Sequence, residues 1–311
     1  MNLVLILQIV LSLCFIGILV DVGMDITRNH KGELYSGSGK KWGWALLIGT
    51  LCNFMDTLGI GSFAPSTFLY KTSGLFDDID LPGNLNIGDT FPVIFEALIF
   101  CGTVECDPTF LIAMCIAAMI GSFAMAEIVS KWDRNMIRIV MGIFLFLCGP
   151  ILILKGFSLG PFAGVEPSQT GLVLNAEGVC IGLSGGKFWA AVIFNVLLGA
   201  LMDVGFGLYA PCMAFCMILG VDTGACFPVF MGSCALLMPA CSIVFIKNSI
   251  YDPIAVAGNL VGGIFGVLIA WKVVTSMPTK AIIVIVAIVM VWTAYMMFRD
   301  AARDKKAAKN A

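Results

Sequence analysis

Charged side chains are scarce in this chain of 311 residues. Only 12% of the residues are Asp, Glu, Lys or Arg, which is about half the share found in an ordinary soluble domain. The formal net charge is -2, and no cluster of basic residues points to a nucleic-acid partner. Hydrophobic residues make up 59% of the chain. This composition excludes an ordinary soluble domain and favours an integral membrane protein.

Histidine is nearly absent, since His30 is the single one. The twelve cysteines are scattered through apolar segments, with no CxxC pair and no His/Cys spacing of a metal site. No HExxH motif and no GxGxxG at a strand-to-helix turn occur. We therefore expect no metal, no cofactor and no enzymatic activity, and we interpret the cysteines and methionines as packing residues.

Long apolar runs dominate the rest of the sequence, and several approach the roughly 20 residues that cross a bilayer as a helix. The first run lacks a basic start and a small-residue cleavage site, so we interpret it as a retained helix rather than a signal peptide. The sequence predicts an all-α, multi-pass membrane protein. The runs cover residues 3–22, 42–58, 91–101, 111–128, 137–154, 188–201, 227–246, 254–271 and 281–297.

Two of these runs are interrupted by the same motif. "MDTLGIGSFAPS" (Met55–Ser66) aligns with "MDVGFGLYAPC" (Met202–Cys212) when one residue is deleted. Further marks recur in the same order on both sides of the motif, which indicates an internal duplication. These paired marks are Lys40/Trp42 with Lys187/Trp189, Phe91–Val93 with Phe227–Val229, Asp107-Pro108 with Asp252-Pro253, and Gly121 with Gly266.

The duplication divides the chain into five parts. They are an N-terminal helix with its loop (1–39), repeat 1 (40–155), an inter-repeat loop (156–186), repeat 2 (187–298) and a basic cytoplasmic tail (299–311). Internal repeats are frequent in secondary transporters, whose substrate sites lie near the membrane midplane where the repeats meet.

The orientation of the two copies depends on the segment after Leu58. If it turns back, each copy has three spanning helices and one re-entrant hairpin, the copies are inverted, and the chain has seven spanning helices. If it crosses the membrane, the copies are parallel. With the C-terminus in the cytoplasm, the inverted arrangement places more Lys and Arg on the cytoplasmic side, so the positive-inside rule favours it.

The interrupted segments predict an anion site. Unpaired backbone groups are not tolerated in lipid, so a broken helix must be buried in protein or line a wet cavity. Glycines let the backbone turn and let a ligand approach it, and the free N–H groups that begin the next half-helix attract an anion. We place a small anion between segments 59–62 and 205–209. The predicted substrate-binding residues are Asn53, Thr57, Gly59, Gly61, Ser62, Thr67, Thr90, Gly205, Gly207, Tyr209 and Cys212.

Three acids lie at membrane depth in this scheme. Asp56 and Asp203 each precede a break and are interpreted either as caps of the unwound turn or as carriers of a proton or coupling ion. Glu96 has Gly232 as its counterpart in repeat 2. An unmatched acid in the middle of a helix indicates proton coupling, or else a carboxyl that is hydrogen-bonded to a neighbouring helix.

These motifs resemble the sulfite exporter TauE/SafE family. The resemblance rests on "LGIGSFAPS" and "GFGLYAPC", each followed by a similar helix start, "NIGDTFPV" (Asn86–Val93) and "DTGACFPV" (Asp222–Val229). It covers nearly the whole chain after Gly39. Ser62 and Leu208 replace the third glycine of the family element, and Asp56 and Asp203 are additions.

The resemblance implies a multi-pass transporter of the bacterial inner membrane. Its substrate would be sulfite, a sulfonate such as sulfoacetate, or a related organic anion. Its transport would be coupled to protons or ions, and the protein could form a homodimer. Two alternatives are an anion channel and a transporter of inorganic sulfur such as thiosulfate, in which Cys212 and Cys226 relay the sulfur.

Overall fold

The computed structural model describes residues 3–129, 133–159, 169–203 and 207–310, and these are almost entirely helical. The helices, in chain order, are α1 (Leu3–Asn29), α2 (Glu33–Ser36), α3 (Gly39–Thr57), α4 (Phe63–Ser73), α5 (Leu81–Thr103), α6 (Pro108–Val129), α7 (Arg134–Gly156), α8 (Gly185–Asp203), α9 (Tyr209–Leu219), α10 (Thr223–Lys247), α11 (Pro253–Ser276) and α12 (Thr279–Asn310).

Seven helices of the described part are long and apolar enough to cross a membrane: α1, α5, α7, α8, α10, α11 and α12. This confirms the prediction of a multi-pass helical membrane protein. The predicted inverted arrangement also has seven spanning helices, but it counts α6 as a span and assigns α8 to a re-entrant hairpin. In α6 the described apolar stretch, Pro108–Ala124, is shorter than a span. Large apolar side chains such as Leu13 and Ile16 of α1 are exposed, as expected for groups that face lipid.

The inter-repeat loop contains a small antiparallel hairpin that the sequence did not predict. Strand β1 (Leu172–Leu174) pairs with β2 (Cys180–Leu183), and Leu172 lies opposite Leu183. The turn between them is held by Asn175, whose side chain accepts from the N–H groups of Glu177 and Val179.

Each of the two interrupted runs contains a helix break. In the first, α3 ends at Thr57 and α4 begins at Phe63. Gly59 and Gly61 adopt φ values of 87° and 90°, which favour glycine. Pro65 is the third residue of α4, where the missing N–H of proline costs no helical hydrogen bond.

The second break separates α8, which ends at Asp203, from α9, which begins at Tyr209. Pro211 occupies the third position of α9, as Pro65 does in α4. Both following helices have 11 residues. At 1.5 Å per residue each is about 16 Å long, roughly half of the apolar thickness of a bilayer.

The chain forms two compact units, and each contains helices from both predicted repeats. Unit 1 comprises residues 1–103 and 231–276, and unit 2 comprises residues 104–230 and 277–311. These units cut across the repeat boundaries. The division into repeats therefore stays a prediction.

In unit 1, α11 packs along α3 and also contacts α5. Small residues permit this close approach. A Cβ atom on Gly262 would lie 2.3 Å from the carbonyl oxygen of Leu46, and one on Gly266 would lie 2.2 Å from that of Thr50. The glycine-rich stretch of α11 is thus a helix-packing face, in agreement with the small-residue pattern of membrane helices.

The end of α4 returns to the start of α3 within unit 1. The Lys41 ammonium lies 5.2 Å from the ring centroid of Phe76. The Phe76 ring in turn packs edge-on against Tyr70, near the end of α4, with a centroid separation of 4.9 Å. The first break therefore reverses the direction of the chain.

In unit 2, α6 packs along α8, and α7 packs along α12. Glycines again allow the contact, because a Cβ on Gly121 would lie 1.8 Å from the carbonyl oxygen of Val196, and one on Gly199 would lie 2.0 Å from that of Ala118. Helix α9 contacts both α7 and α8.

Candidate functional site

A group of buried polar side chains surrounds the first break in unit 1. Each of these residues is at most 4% exposed, although the helices that carry them are largely apolar. We call this group the polar cluster. Its members are Asn53, Asp56 and Thr57 of α3, Ser62 of the break, Asp89 and Glu96 of α5, and Asn259 of α11.

Asp89 is the centre of the hydrogen bonds in the polar cluster. Its Oδ2 accepts from the hydroxyl of Ser62 at 2.8 Å, and its Oδ1 accepts from Nδ2 of Asn259. The Oδ1 of Asn259 accepts from Nδ2 of Asn53 at 2.7 Å, and the same Asn53 nitrogen donates to the Gly49 carbonyl at 2.9 Å. One continuous chain of hydrogen bonds thus links α3, α11, α5 and the break.

Glycines position Asn259 for this role. A Cβ on Gly88 of α5 would lie 2.7 Å from Nδ2 of Asn259, and one on Gly49 of α3 would lie 2.8 Å from its Cα. A Cβ on Gly263 would meet the Pro92 ring at 2.3 Å. Because these positions carry no side chain, α11 can insert Asn259 between α3 and α5.

Asp56 of α3 also contacts the break. Its carboxyl contacts the backbone N–H and the hydroxyl of Ser62, and the single hydrogen of that hydroxyl goes to Asp89. The charged groups that act on Asp56 are two further acids, Glu96 and Asp89. The contact with the backbone N–H is what a cap requires, and the proximity of three carboxyls is what an ion carrier requires. Both interpretations of Asp56 therefore stay open.

Glu96 is paired with Thr57. The Thr57 hydroxyl lies 2.6 Å from Oε1 of Glu96 and 2.8 Å from the backbone carbonyl of Asn53. A hydroxyl has a single hydrogen to donate. If that hydrogen goes to the Asn53 carbonyl, the short contact with Glu96 needs a proton on the Glu96 carboxyl. A protonated Glu96 satisfies both contacts, whereas an ionised one satisfies only one of them.

The predicted hydroxyl donors near the first break are already engaged. Ser62 donates to Asp89, and Thr67 donates to the Phe63 carbonyl at 2.8 Å. Thr90 lies 2.6 Å from the Asn86 carbonyl and 2.8 Å from the hydroxyl of Ser242. An anion here would have to displace these bonds beside three acids. This surrounding suits a proton or a cation better than an anion.

The described part of the second break, in unit 2, shows an exposed glycine and a buried aromatic contact instead of a polar cluster. Gly205 and the side chain of Asp203 lie outside the described residues, and Gly207 is exposed. Tyr209 is buried, and its ring centroid lies 4.6 Å from that of Phe230. Because segments 59–62 and 207–209 belong to different units, the predicted joint anion site stays a prediction.

Three cysteines meet just beyond the second break. The Cys216 thiol is hydrogen-bonded to the thiols of Cys212 and Cys226. Each of the three is about 1% exposed, and all are free of disulfides. Cys212 and Cys226, which the relay alternative singled out, are thus joined through a third cysteine that the sequence reasoning left among the packing residues.

Sequence reasoning missed two members of the polar cluster, Asp89 and Asn259. Asp89 stands in "NIGDTFPV", which was interpreted only as a helix start. An acid several residues inside a 23-residue apolar helix is a signal in its own right. Asn259 stands in the glycine-rich packing face of α11, among residues that carry no other sign of a polar site. Within the described part of the chain, no group of three or more His, Cys, Asp or Glu side chains is arranged to hold a metal ion.

No protein-family model matches the chain, and neither a curated protein nor a solved structure matches it. The resemblance to the sulfite exporter family therefore rests on the repeated motifs alone.

Proposed function

We propose that this protein is a secondary transporter of a small anion, that its transport is coupled to protons, and that the polar cluster is the coupling site. One observation carries the proposal: three carboxyls, Asp56, Asp89 and Glu96, meet at a helix break among buried apolar helices. Ionised groups at membrane depth are costly, and membrane proteins place them mainly on ion and proton pathways.

The chemistry of the polar cluster favours the proton as the coupling ion. The Thr57 hydroxyl can form hydrogen bonds with both the Asn53 carbonyl and Glu96 when Glu96 is protonated. Asp89 receives donors on both oxygens, which stabilises its ionised form. Two neighbouring acids in such different surroundings can hold one proton between them, and its gain and loss can drive a conformational step.

Two features support the inverted-repeat architecture. The chain reversal at the first break is what a re-entrant hairpin requires. In addition, α3 packs on α11 in unit 1, and α8 packs on α6 in unit 2. In the predicted alignment α3 corresponds to α8 and α11 to α6, and glycines allow the close contact in both pairs. We propose seven spanning helices with α3–α4 and α8–α9 as the two hairpins, and with the C-terminus in the cytoplasm of a bacterial cell.

The substrate proposal follows the family resemblance. We propose membership of the sulfite exporter TauE/SafE family and, as substrate, sulfite, a sulfonate such as sulfoacetate, or a related anion. The N–H groups that begin α9 attract negative charge. The capping residue of α9, Leu208, offers them no side-chain acceptor. The anion therefore interacts with the second break, while the first break serves the proton.

The three cysteines favour a second candidate function, a sulfur relay. A thiolate attacks the outer sulfur of thiosulfate, a new sulfur–sulfur bond forms, the original one breaks and sulfite leaves. The persulfide sulfur then passes to a neighbouring thiolate. The thiol–thiol contacts of Cys216 with Cys212 and Cys226 would serve such a transfer.

Reconstituted vesicles test the main proposal. Purified protein is incorporated into vesicles that enclose a pH-sensitive dye, and sulfite, thiosulfate, sulfoacetate or chloride is added outside, with and without sodium. We expect at least one sulfur anion to change the internal pH in the absence of sodium. A Glu96→Gln variant should abolish the pH change. Glu105→Gln is the matched control, because Glu105 is exposed and its carboxylate accepts a hydrogen bond from the loop residue Asn175. Anion uptake without any proton movement would refute proton coupling.

A further inference from the structure

A second set of buried polar groups lies between the polar cluster and one end of unit 1. The Tyr70 side chain is fully buried, and its hydroxyl has no hydrogen-bond partner among the described residues. The same holds for Nδ2 of Asn84. Buried polar groups are nearly always hydrogen-bonded, to protein or to ordered water. The two groups lie on α4 and α5, which contact each other, and ordered water is the usual partner of such groups when protein offers none.

Two carboxyls act on Tyr70. Asp89 of the polar cluster and Asp252, the residue before α11, both act on it electrostatically, as does the Cys52 thiol of α3. Asn84 continues the connection, because its Oδ1 accepts from the backbone N–H of Asp252 at 2.7 Å. Asp252, Asn84, Tyr70 and Asp89 are thus buried polar residues of one unit, and a hydrogen bond joins the first two.

The Asp252 end of this set adjoins partly exposed groups. Asp252 forms an ion pair with Lys41, whose side chain is 25% exposed. Asp80, in the loop before α5, lies close enough for Asp252, Asp77, His30 and Lys41 to act on it. Burial raises the pKa of the Asp80 carboxyl, and Asp252 and Asp77 add to the rise. A carboxyl of this kind exchanges protons with water closer to neutral pH than an ordinary aspartate does.

We infer that Asp252, Asn84 and Tyr70 form a proton-access route from the side of the membrane where α3 begins to Asp89. This inference rests on the proposed coupling role of the polar cluster. Water molecules complete the route on both sides of Tyr70. The Tyr70 oxygen accepts a proton from one water, which regains a proton from the Asp252 end, and the proton of Tyr70 passes through another water to the Asp89 carboxylate. Tyrosine is neutral before and after the step, and one proton moves inward.

The test measures protonation of Asp89 directly, without any transported substrate. Wild-type protein in a lipid bilayer is followed by infrared spectroscopy after a sudden change of pH, and the carboxyl band that disappears in Asp89→Asn is assigned to Asp89. We expect Tyr70→Phe to slow the appearance of this band about tenfold, which corresponds to 1.4 kcal/mol of added barrier, with its final amplitude unchanged. Asn84→Leu should slow it as well.

The controls separate the route from the proposed transport. Tyr295→Phe is the matched substitution, since Tyr295 is exposed on α12, and it should leave the rate unchanged. Thermal unfolding checks that each variant is folded. An unchanged rate in both Tyr70→Phe and Asn84→Leu overturns the route, and so does the absence of an Asp89 band in the wild type. A slowed band in a protein that moves none of the sulfur anions supports the route and refutes the transport proposal alone.

Discussion

Substituting Asp89 distinguishes a coupling role from a merely structural one, because two replacements of similar size affect its contacts differently. In Asp89→Asn the amide oxygen still accepts from Asn259, and the new amide nitrogen donates to the Ser62 oxygen. The two bonds seen in the structure are thus both replaced. The side chain can no longer exchange a proton, so the variant imitates a permanently protonated Asp89.

In Asp89→Leu neither bond can form. The Ser62 hydroxyl and the Asn259 amide would be left buried without an acceptor, and each such loss costs about 1–3 kcal/mol. The sum is about 2–6 kcal/mol, reduced by the relief of burying one fewer charge. We expect Leu to lower the free energy of unfolding by several kcal/mol, on the order of half the stability of a typical domain, and Asn to change it by less than about 1 kcal/mol.

Two measurements on each variant test this reasoning. Denaturant unfolding in detergent gives the stability, and uptake of radiolabelled sulfite into vesicles with an imposed pH gradient gives the coupling. Asp78→Leu is the control, because its side chain is 73% exposed and surface changes rarely exceed 0.5 kcal/mol. We expect Asp89→Asn to be stable and to ignore the gradient. A stable Asp89→Asn whose uptake still follows the gradient would refute the coupling role.

Three further predictions address the remaining proposals. Asp56→Asn should keep transport and the melting temperature, because an amide oxygen can also accept from the Ser62 backbone N–H; loss of transport in the folded variant would identify Asp56 as an ion carrier instead. Lys71→Cys and Arg134→Cys, on a background without reactive native cysteines, should resist a membrane-impermeant thiol reagent in intact cells; labelling of Arg134→Cys from outside would contradict the inverted arrangement. Replacement of both Cys212 and Cys226 by serine should leave thiosulfate uptake largely intact, and its loss would favour the sulfur relay.

The helix breaks could be predicted from the sequence because their causes are local. Gly59 and Gly61 need positive φ angles, and Pro65 needs the first turn of a helix; both requirements follow from residue type alone. The packing face of α11 was also predictable, since Gly262 and Gly266 are four residues apart and therefore lie on one side of a helix.

The polar cluster could not be assembled from the sequence in the same way. Asp89 and its donor Asn259 are 170 residues apart in the chain, and no local rule pairs them. The interpretation of Ser62 and Thr67 as anion donors assumed free hydroxyls, whereas the structure pairs them with Asp89 and with the Phe63 carbonyl. Residue type shows that a donor exists, but only the fold shows which acceptor it has found.

The two copies also differ in chemical hardness at corresponding positions. Alignment of the breaks and of the FPV segments pairs the oxygen-bearing residues around Asp89 with apolar or sulfur-bearing ones in repeat 2. The pairs are Ser66 with Cys212, Tyr70 with Cys216, Asp89 with Ala225, and Thr90 with Cys226. The first break thus keeps oxygen-bearing side chains, and the second keeps three cysteines, of which Cys216 is hydrogen-bonded to Cys212 and to Cys226. Thiols are weak donors and are highly polarisable. Such thiols suit a proton or a small hard ion poorly, so the proposed coupling role falls to the first break. In the proposed function, this difference between the two predicted copies assigns the coupling ion to the first break and the substrate to the second.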